Sequence, residues 1–510
     1  MMGAMVDVVV IGAGLGGLMA AAKLARRGRH VLVLERKSLP GGTSYVFRRG
    51  GYAFPMGPLA FSFPGRVRDL LAEAGVEEPV AFRRSGFELR TPFLDLMMSK
   101  PLEDLEPELA DAFPAEAAGL AEFFGLLRSA IAVSRDMDLW HPDFGGGPRC
   151  GTRGPRLDAA TEARAAEVRR LAATPAAPVL DRLIAGAPLR NFLGSMGSHR
   201  PEMSLLNLAL MWHIMAEEGI WFPSCGVHGL ADLLRGKVAD FGGKVRLSEP
   251  VSRLLVRGGR AAGVITAGGE TVEARRVVSN ADYKTTFLEL LDPSDVPGLD
   301  LGAIRSAPYT GSELCVYLGL RPERLDLGAV HAEHLFFRKE VREPKARDAA
   351  DFDDREVEIC HWSRQAPTLT PAGRASLLLR VGFPYERFAD WRTGDKKRRA
   401  GYREEKARLA GGLIRTVESI VPGLSGAIEV METATPLTYR DWGGRFGGSI
   451  AGWSWGAGAS GALPAKVLVR TPLPGLFAAG AYAAAELFLG GVPTALYTGS
   501  LAAELILAGQ

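Results

Sequence analysis

"DVVVIGAGLGGL", residues 7–18, decides the fold of this chain. Val8, Val9, Val10 and Ile11 form a β-branched run of the kind that fills a strand covered on both faces of a parallel sheet. The run stops at Gly12. Beyond it Leu15, Leu18, Met19, Ala22 and Ala25 recur at helical spacing and Gly28 supplies a stop, so a helix begins inside the glycine cluster. A second apolar run, "HVLVLE" at 30–35, completes a strand–helix–strand unit. Gly12, Gly14 and Gly17 take the three fingerprint positions, around Ala13, Leu15 and Gly16: the first allows the tight turn, the second lets a pyrophosphate approach the backbone, the third lets helix and strand pack closely. Glu35 ends the second strand 21 residues after Gly14, where its carboxylate can accept from both ribose hydroxyls and repels a 2′-phosphate. A dinucleotide lacking that phosphate is the expected ligand, its phosphates resting on the positive end of the helix.

The rest of the composition narrows the class. At 510 residues the chain is long enough for two to four structural units. Its hydrophobic share of 47% and charged share of 23% are those of a globular protein, and a net charge of +3 over this length argues against nucleic acid as a partner. Cys150, Cys225, Cys315 and Cys360 lie far apart and form no CxxC pair, so neither a disulfide framework nor a zinc site is indicated, and no metal is expected. Reduced thiols fit a cytoplasmic location. The longest uncharged apolar stretch near the middle, residues 204–216, falls short of the roughly 20 residues a bilayer span needs, so no span is expected.

Directly after Glu35 comes "RKSLPGGTSYVFRRGGYAFPMGPLAF", which carries Arg36, a second glycine pair at Gly41 and Gly42 followed by Thr43, and a third turn at Gly57 and Pro58. An NAD site needs no such continuation. The glycine fingerprint, the acid, the GG pair and the GYxFxxGP element together resemble the flavoprotein family of phytoene desaturases, carotenoid isomerases and retinol saturases, in a wider group that includes flavin amine oxidases. "PLPGLFAAGAYAAAELFLGGVPTALYTGSLAAELIL" at 472–507 resembles the family's closing element: Gly480 and Ala481 end a strand, and Gly491, Val492 and Pro493 lead into the last helix. The segment 242–281, with apolar alternation broken by glycine turns, reads as short antiparallel strands. It resembles the connection between the two FAD halves, with Val251 at the position that meets the adenine. Two positions depart from the pattern: Pro55 stands where relatives often carry an acid, and Ala481 follows Gly480 where many flavoproteins have aspartate.

The resemblance implies an α/β fold: a Rossmann-like FAD-binding domain of the glutathione-reductase type, assembled from 5–65, 221–300 and 430–508, with an inserted α+β substrate domain from 66–220 and 301–429. It implies FAD as cofactor, hydride transfer with the flavin N5, a long apolar polyene or terpenoid as substrate, and quinone or oxygen as electron acceptor. It also implies peripheral contact with the inner face of the cell membrane. An amine or small-molecule oxidase on the same scaffold and a non-catalytic prenyl-escort-like protein are the alternatives. No acid–base constellation stands out, so the flavin carries the chemistry. Segment 435–455 is expected on the flavin side of the substrate cavity, with Arg445 a candidate contact. Three further features have two readings each. The methionine-rich region 192–222 is core or a channel wall. Lys396, Lys397, Arg398 and Arg399 are a solvated helix start or a lipid-facing patch. His331 and His334 read as neutral surface histidines, lacking a third metal ligand, and Cys360 beside His361 is no catalytic dyad. The glycine-rich stretch 145–156 reads as a loop.

Overall fold

The β-branched run at the start of the chain sits in the middle of the first sheet. In the computed structural model, which describes residues 5–135, 159–195, 203–341, 348–450, 452–454, 467–484 and 491–509, strand Val6–Ile11 is flanked in parallel by Val31–Leu34 and Thr271–Ser279. Lys244–Arg246 adds a further parallel strand beside Val31–Leu34, and Leu476–Ala478 pairs in parallel with the end of Thr271–Ser279. Val8, Val9 and Val10 are no more than 1% exposed, as a strand covered on both faces requires. The alternating segment forms the meander Val251–Arg257, Arg260–Thr266 and Thr271–Ser279, antiparallel as its pattern predicts. Thr271–Ser279 therefore serves two pairings: its first residues close the meander and its last residues carry the parallel sheet.

Helix Leu15–Arg26 packs between helix Gly226–Asp240 and the closing helix Gly491–Leu507. The second of these crossings is close. A Cβ on Gly499 would stand 2.1 Å from the Gly16 carbonyl, so both helices need glycine where they meet. The fold class expected from the sequence, a Rossmann-like α/β core with an α+β insertion, is the one found.

The insertion contains a seven-stranded mixed sheet in the order Ile428–Ala434, Glu313–Leu320, Ala375–Gly382, Val357–Cys360, His334–Phe337, Phe87–Thr91, Leu94–Met97. Strand Ile428–Ala434 straddles the boundary drawn at 430, because its pairing with Glu313–Leu320 runs on to Ala434. Leu314, Val316, Leu377 and Leu379 point to one face and pack on helix Tyr402–Glu418. Cys315, Tyr317, Leu378 and Cys360 point to the other and join the core of the nucleotide-binding half. A helical layer forms a separate core centred on Trp212, whose ring meets Phe123, Phe124 and Phe192 at 5.6–6.3 Å and whose Nε1 donates to the Leu193 carbonyl.

That core settles the apolar region 192–222 among its described residues: Phe192, Leu205, Leu208, Met211 and Trp212 are buried structural side chains. Met196 and the stretch 145–156 lie outside the described residues. One sequence expectation is corrected. Lys397–Arg398 form a strand of a small hairpin with Arg392–Gly394, not a helix start, because Asp441 draws Arg392 (2.8 Å) and Arg398 (2.7 Å) inward. Among the described residues one helical stretch, Pro114–Ser134, is long and apolar enough to cross a bilayer by length and composition. Leu120, Phe123, Phe124, Leu127 and Ile131 on it are packed into the Trp212 core, and Glu122 and Arg128 interrupt the run in sequence.

Candidate functional site

The glycine turn is held from three directions. Gly12 has φ 91°, which only glycine adopts without strain, and its N–H donates to the Leu34 carbonyl at 2.8 Å. Glu35, 4% exposed, accepts from the backbone N–H groups of Ala13 (2.7 Å) and Lys37 (2.9 Å), so its carboxylate locks the turn to the end of the second strand. Gly41 N–H donates to the Ala13 carbonyl at 2.7 Å, and a Cβ on Gly42 would stand 3.2 Å from Gly14 Cα. The second glycine pair thus lies directly on the first turn.

Asn280 is the residue that joins the sequence-distant parts. It follows strand Thr271–Ser279, donates its N–H to the Ile11 carbonyl at 2.8 Å, and accepts from Gly17 N–H through Oδ1 at 3.0 Å. Side chains added at Gly14, Gly16 or Gly480 would each run into its amide, at 2.5, 2.7 and 2.8 Å. Gly480 in turn donates to Thr498 Oγ1 at 2.9 Å, tying the end of the closing strand to the closing helix.

These contacts line a cavity of about 520 Å³. At one end lie Glu35, Arg36 and Val251; Gly12, Gly14 and Leu15 border the glycine turn; Gly41, Gly42, Thr43, Gly57 and Pro58 border the next loops; Arg445, Gly480, Ala481, Gly491 and Val492 border the chain's closing elements. Ala13, Gly16, Gly17 and Pro493 stand behind this lining: a Cβ on Gly17 would meet the Gly12 carbonyl at 2.2 Å, and Ala13 and Pro493 are buried. Arg445 donates to Thr43 Oγ1 (2.7 Å) and to the carbonyls of Ser449 and Ile450, pinning two loops of the wall together. Of segment 435–455, Tyr439, Gly443, Gly444, Arg445 and Ile450 reach the cavity.

Several lining residues carry charge that sequence reading passed over. Lys37 donates to the Gly42 carbonyl at 2.8 Å and lies over the Tyr45 ring, and burial pushes its ammonium down to about 7. Asp282 caps helix Tyr283–Leu288, accepts from Tyr309 OH at 2.5 Å and from Phe446 N–H at 3.0 Å, and burial raises its carboxyl. The Asn-Ala-Asp that ends the third parallel strand was the available signal for Asn280 and Asp282. On the opposite wall Glu313, Arg380 and Tyr439 meet: Arg380 donates to Glu313 at 2.7 and 3.1 Å, and Tyr439 OH donates to it at 2.5 Å.

The histidine reading is corrected in part. His331 is exposed, but His334 is 2% exposed and bound through Nδ1 to Glu358 at 2.9 Å, so it is a buried member of the second sheet. Among the described residues no group of three or more metal-ligating side chains occurs. The Cys360 thiol is fully buried and pushed well up, while His361 caps a short helix and is held down at about 4.

A cavity lined by a glycine turn with its helix N-terminus, a buried acid and a second helix start fits a dinucleotide carrying a second ring system. The profile of the family described as flavin containing amine oxidoreductase matches residues 15–507. Among curated proteins, the zeta-carotene-forming phytoene desaturase of Myxococcus xanthus is 28% identical over 454 residues, covering 86% of this chain and 82% of that protein. The chloroplastic prolycopene isomerase of Daucus carota is 25% identical over 453 residues, covering 85% of this chain and 70% of that protein. Solved structures sharing the fold include a redesigned putrescine oxidase (TM-score 0.63, 16% identity, 99% of each chain) and the cyclohexylamine oxidase of Brevibacterium oxydans (TM-score 0.61, 17% identity, 99% of each chain). The chain therefore belongs to the flavin containing amine oxidoreductases: it is an FAD-dependent oxidoreductase similar to carotenoid desaturases and isomerases.

Proposed function

We propose that the protein desaturates or isomerises a long apolar polyene or terpenoid of the carotenoid kind by hydride transfer with the flavin. The observation that carries this reading is the extended likeness to a phytoene desaturase and a prolycopene isomerase, which spans more than two thirds of each relative. FAD supplies the hydride acceptor. The chain's residues supply its seat: Glu35 and Val251 border the adenosine end, the Lys37 ammonium and the N-terminus of helix Leu15–Arg26 attract the pyrophosphate, and Gly480, Ala481, Gly491 and Val492 border the ring end. Lys37 reaches its place because Gly42 and Tyr45 hold it there.

A substrate of this class is held in lipid, and the reading includes peripheral contact with an anionic membrane surface. Trp442 (49% exposed) and Leu39 (51% exposed) support it, with Lys396 Nζ 4.4 Å from the Trp442 ring and Arg36 bonded to the Trp442 carbonyl. Quinone or oxygen then takes the electrons. The test is anaerobic mixing of the holoprotein with phytoene, zeta-carotene or prolycopene in phospholipid vesicles. Loss of the flavin's visible absorbance, or a change of polyene isomer on chromatography, is expected. A flavin that ignores all three polyenes and bleaches with a primary amine overturns the reading.

A further inference from the structure

The wall opposite the glycine turn carries a chain of ionised groups that the reading above does not use. Glu313, Arg380, Glu358 and His334 come from four adjacent strands of the second sheet, with Glu358 directly across from Arg380, and all project from the face turned toward the nucleotide-binding half. Arg380 Nη1 donates to Glu358 at 2.9 Å, completing the run that begins with Tyr439 and Glu313. Arg380 lies deep in the molecule yet keeps 21% of its side chain accessible, and it and Glu313 border the cavity. His334 donates to Glu358 from Nδ1, and its Nε2 is buried with no partner. Two carboxylates, Glu313 and Glu358, thus share one guanidinium.

The cluster is tied to the chain's closing elements. Ser312, next to Glu313, donates to the Gly448 carbonyl at 2.7 Å, and the following residue, Ser449, accepts the Tyr482 hydroxyl at 3.1 Å through its carbonyl oxygen. Tyr482 directly follows Gly480 and Ala481. Burying ionised groups costs desolvation that a purely structural wall avoids by using apolar side chains, so two carboxylates sharing one guanidinium beside the cavity suit a cation formed there.

We propose that Glu313 is a catalytic residue whose carboxylate stabilises the positive charge left on the substrate carbon as hydride departs, with Arg380 and Tyr439 as its positioning residues. In that step a C–H bond breaks, its electron pair and hydrogen pass together to the oxidised flavin, and the substrate is left as a cation. Glu313 forms no bond: all three of its hydrogen bonds are already made to Arg380 and Tyr439, so it acts as a fixed charge. In desaturation the adjacent carbon then releases a proton to water and its C–H electrons form the double bond. The stabilised charge is the same in kind on a polyenyl cation and on the iminium of an amine. The inference rests on the hydride-transfer reading but not on which of these substrates is used.

The test compares wild-type, Glu313→Gln and Glu313→Asp holoproteins by two measurements. The flavin's two-electron reduction potential, taken by dye equilibration without substrate, is expected to be more positive in the Gln variant, because a negative charge beside the ring disfavours its reduced form. Single-turnover bleaching, run with vesicle-borne phytoene and separately with benzylamine, is expected to slow at least tenfold in the Gln variant with whichever of the two the wild type oxidises. A better oxidant that reacts more slowly is a result that loss of packing does not produce. An unchanged potential, or an unchanged bleaching rate, overturns the assignment. If the Gln variant does not retain flavin, the Asp variant decides: a charge drawn back by one methylene slows bleaching at least threefold, and a wild-type rate overturns the assignment. Bleaching of the wild type by benzylamine alone sinks the polyene reading and leaves Glu313 to be judged by its potential and that same rate.

Discussion

Lys37 shows how a single side chain couples the cofactor to pH. Burial holds its ammonium down at about 7 against an ordinary value near 10.5, so in the empty protein the neutral amine dominates above that pH. An arriving pyrophosphate favours the charged form and draws a proton in. FAD affinity therefore weakens as pH rises above 7, by up to tenfold per unit until the raised value in the complex is passed. A Lys37→Met variant, titrated with FAD between pH 6 and 9, is expected to bind more weakly and with a flat profile; a wild-type slope in that variant would show that another group takes up the proton. The same side chain sets a stability window. The unfolded chain binds the proton that the folded one refuses between pH 7 and 10.5, so the empty protein gains stability as pH climbs through that range. Neither Lys37 nor Asn280 was singled out in the sequence, whereas Gly12 and Glu35 were. The difference is physical: the glycine and the acid act within one strand–turn–helix unit, while Asn280 meets Gly17 across 263 residues.

At the scale of elements, the first turn and the last helix depend on one crossing. Since a Cβ at 499 would collide with the Gly16 carbonyl at 2.1 Å, Gly499→Ala must push the two helices apart. The expected cost is about 1–3 kcal/mol in urea unfolding, together with loss of flavin on gel filtration, because Gly16 and Gly17 carry the turn. An Ala variant with wild-type midpoint and flavin content would mean that the helices slide freely. The helices and the central strands were legible because their apolar periods are long and uninterrupted. The hairpin Arg392–Gly394 with Lys397–Arg398 was not: four consecutive cations look solvated in sequence, and Asp441, 43 residues beyond Arg398, explains why that one turns inward. Likewise Glu313 and Arg380 read as ordinary charges on two strands until the sheet brings them together.

For the whole molecule, the proposed lipid contact rests on the exposed Trp442, with Lys396 beside its ring. Trp442→Ala is expected to lower cosedimentation with phosphatidylglycerol-containing vesicles about tenfold and to leave binding to purely zwitterionic vesicles weak in both proteins. Equal cosedimentation of the variant and the wild type would move the membrane contact elsewhere. The tie between residues 12–17, Asn280 and residues 480–499 has a consequence for biogenesis. The strand and helix that close the pocket are synthesised long after the glycine turn, so a nascent chain that still lacks them cannot hold its flavin. Loading thus waits for those closing elements, and every stage of synthesis before them is spent colourless.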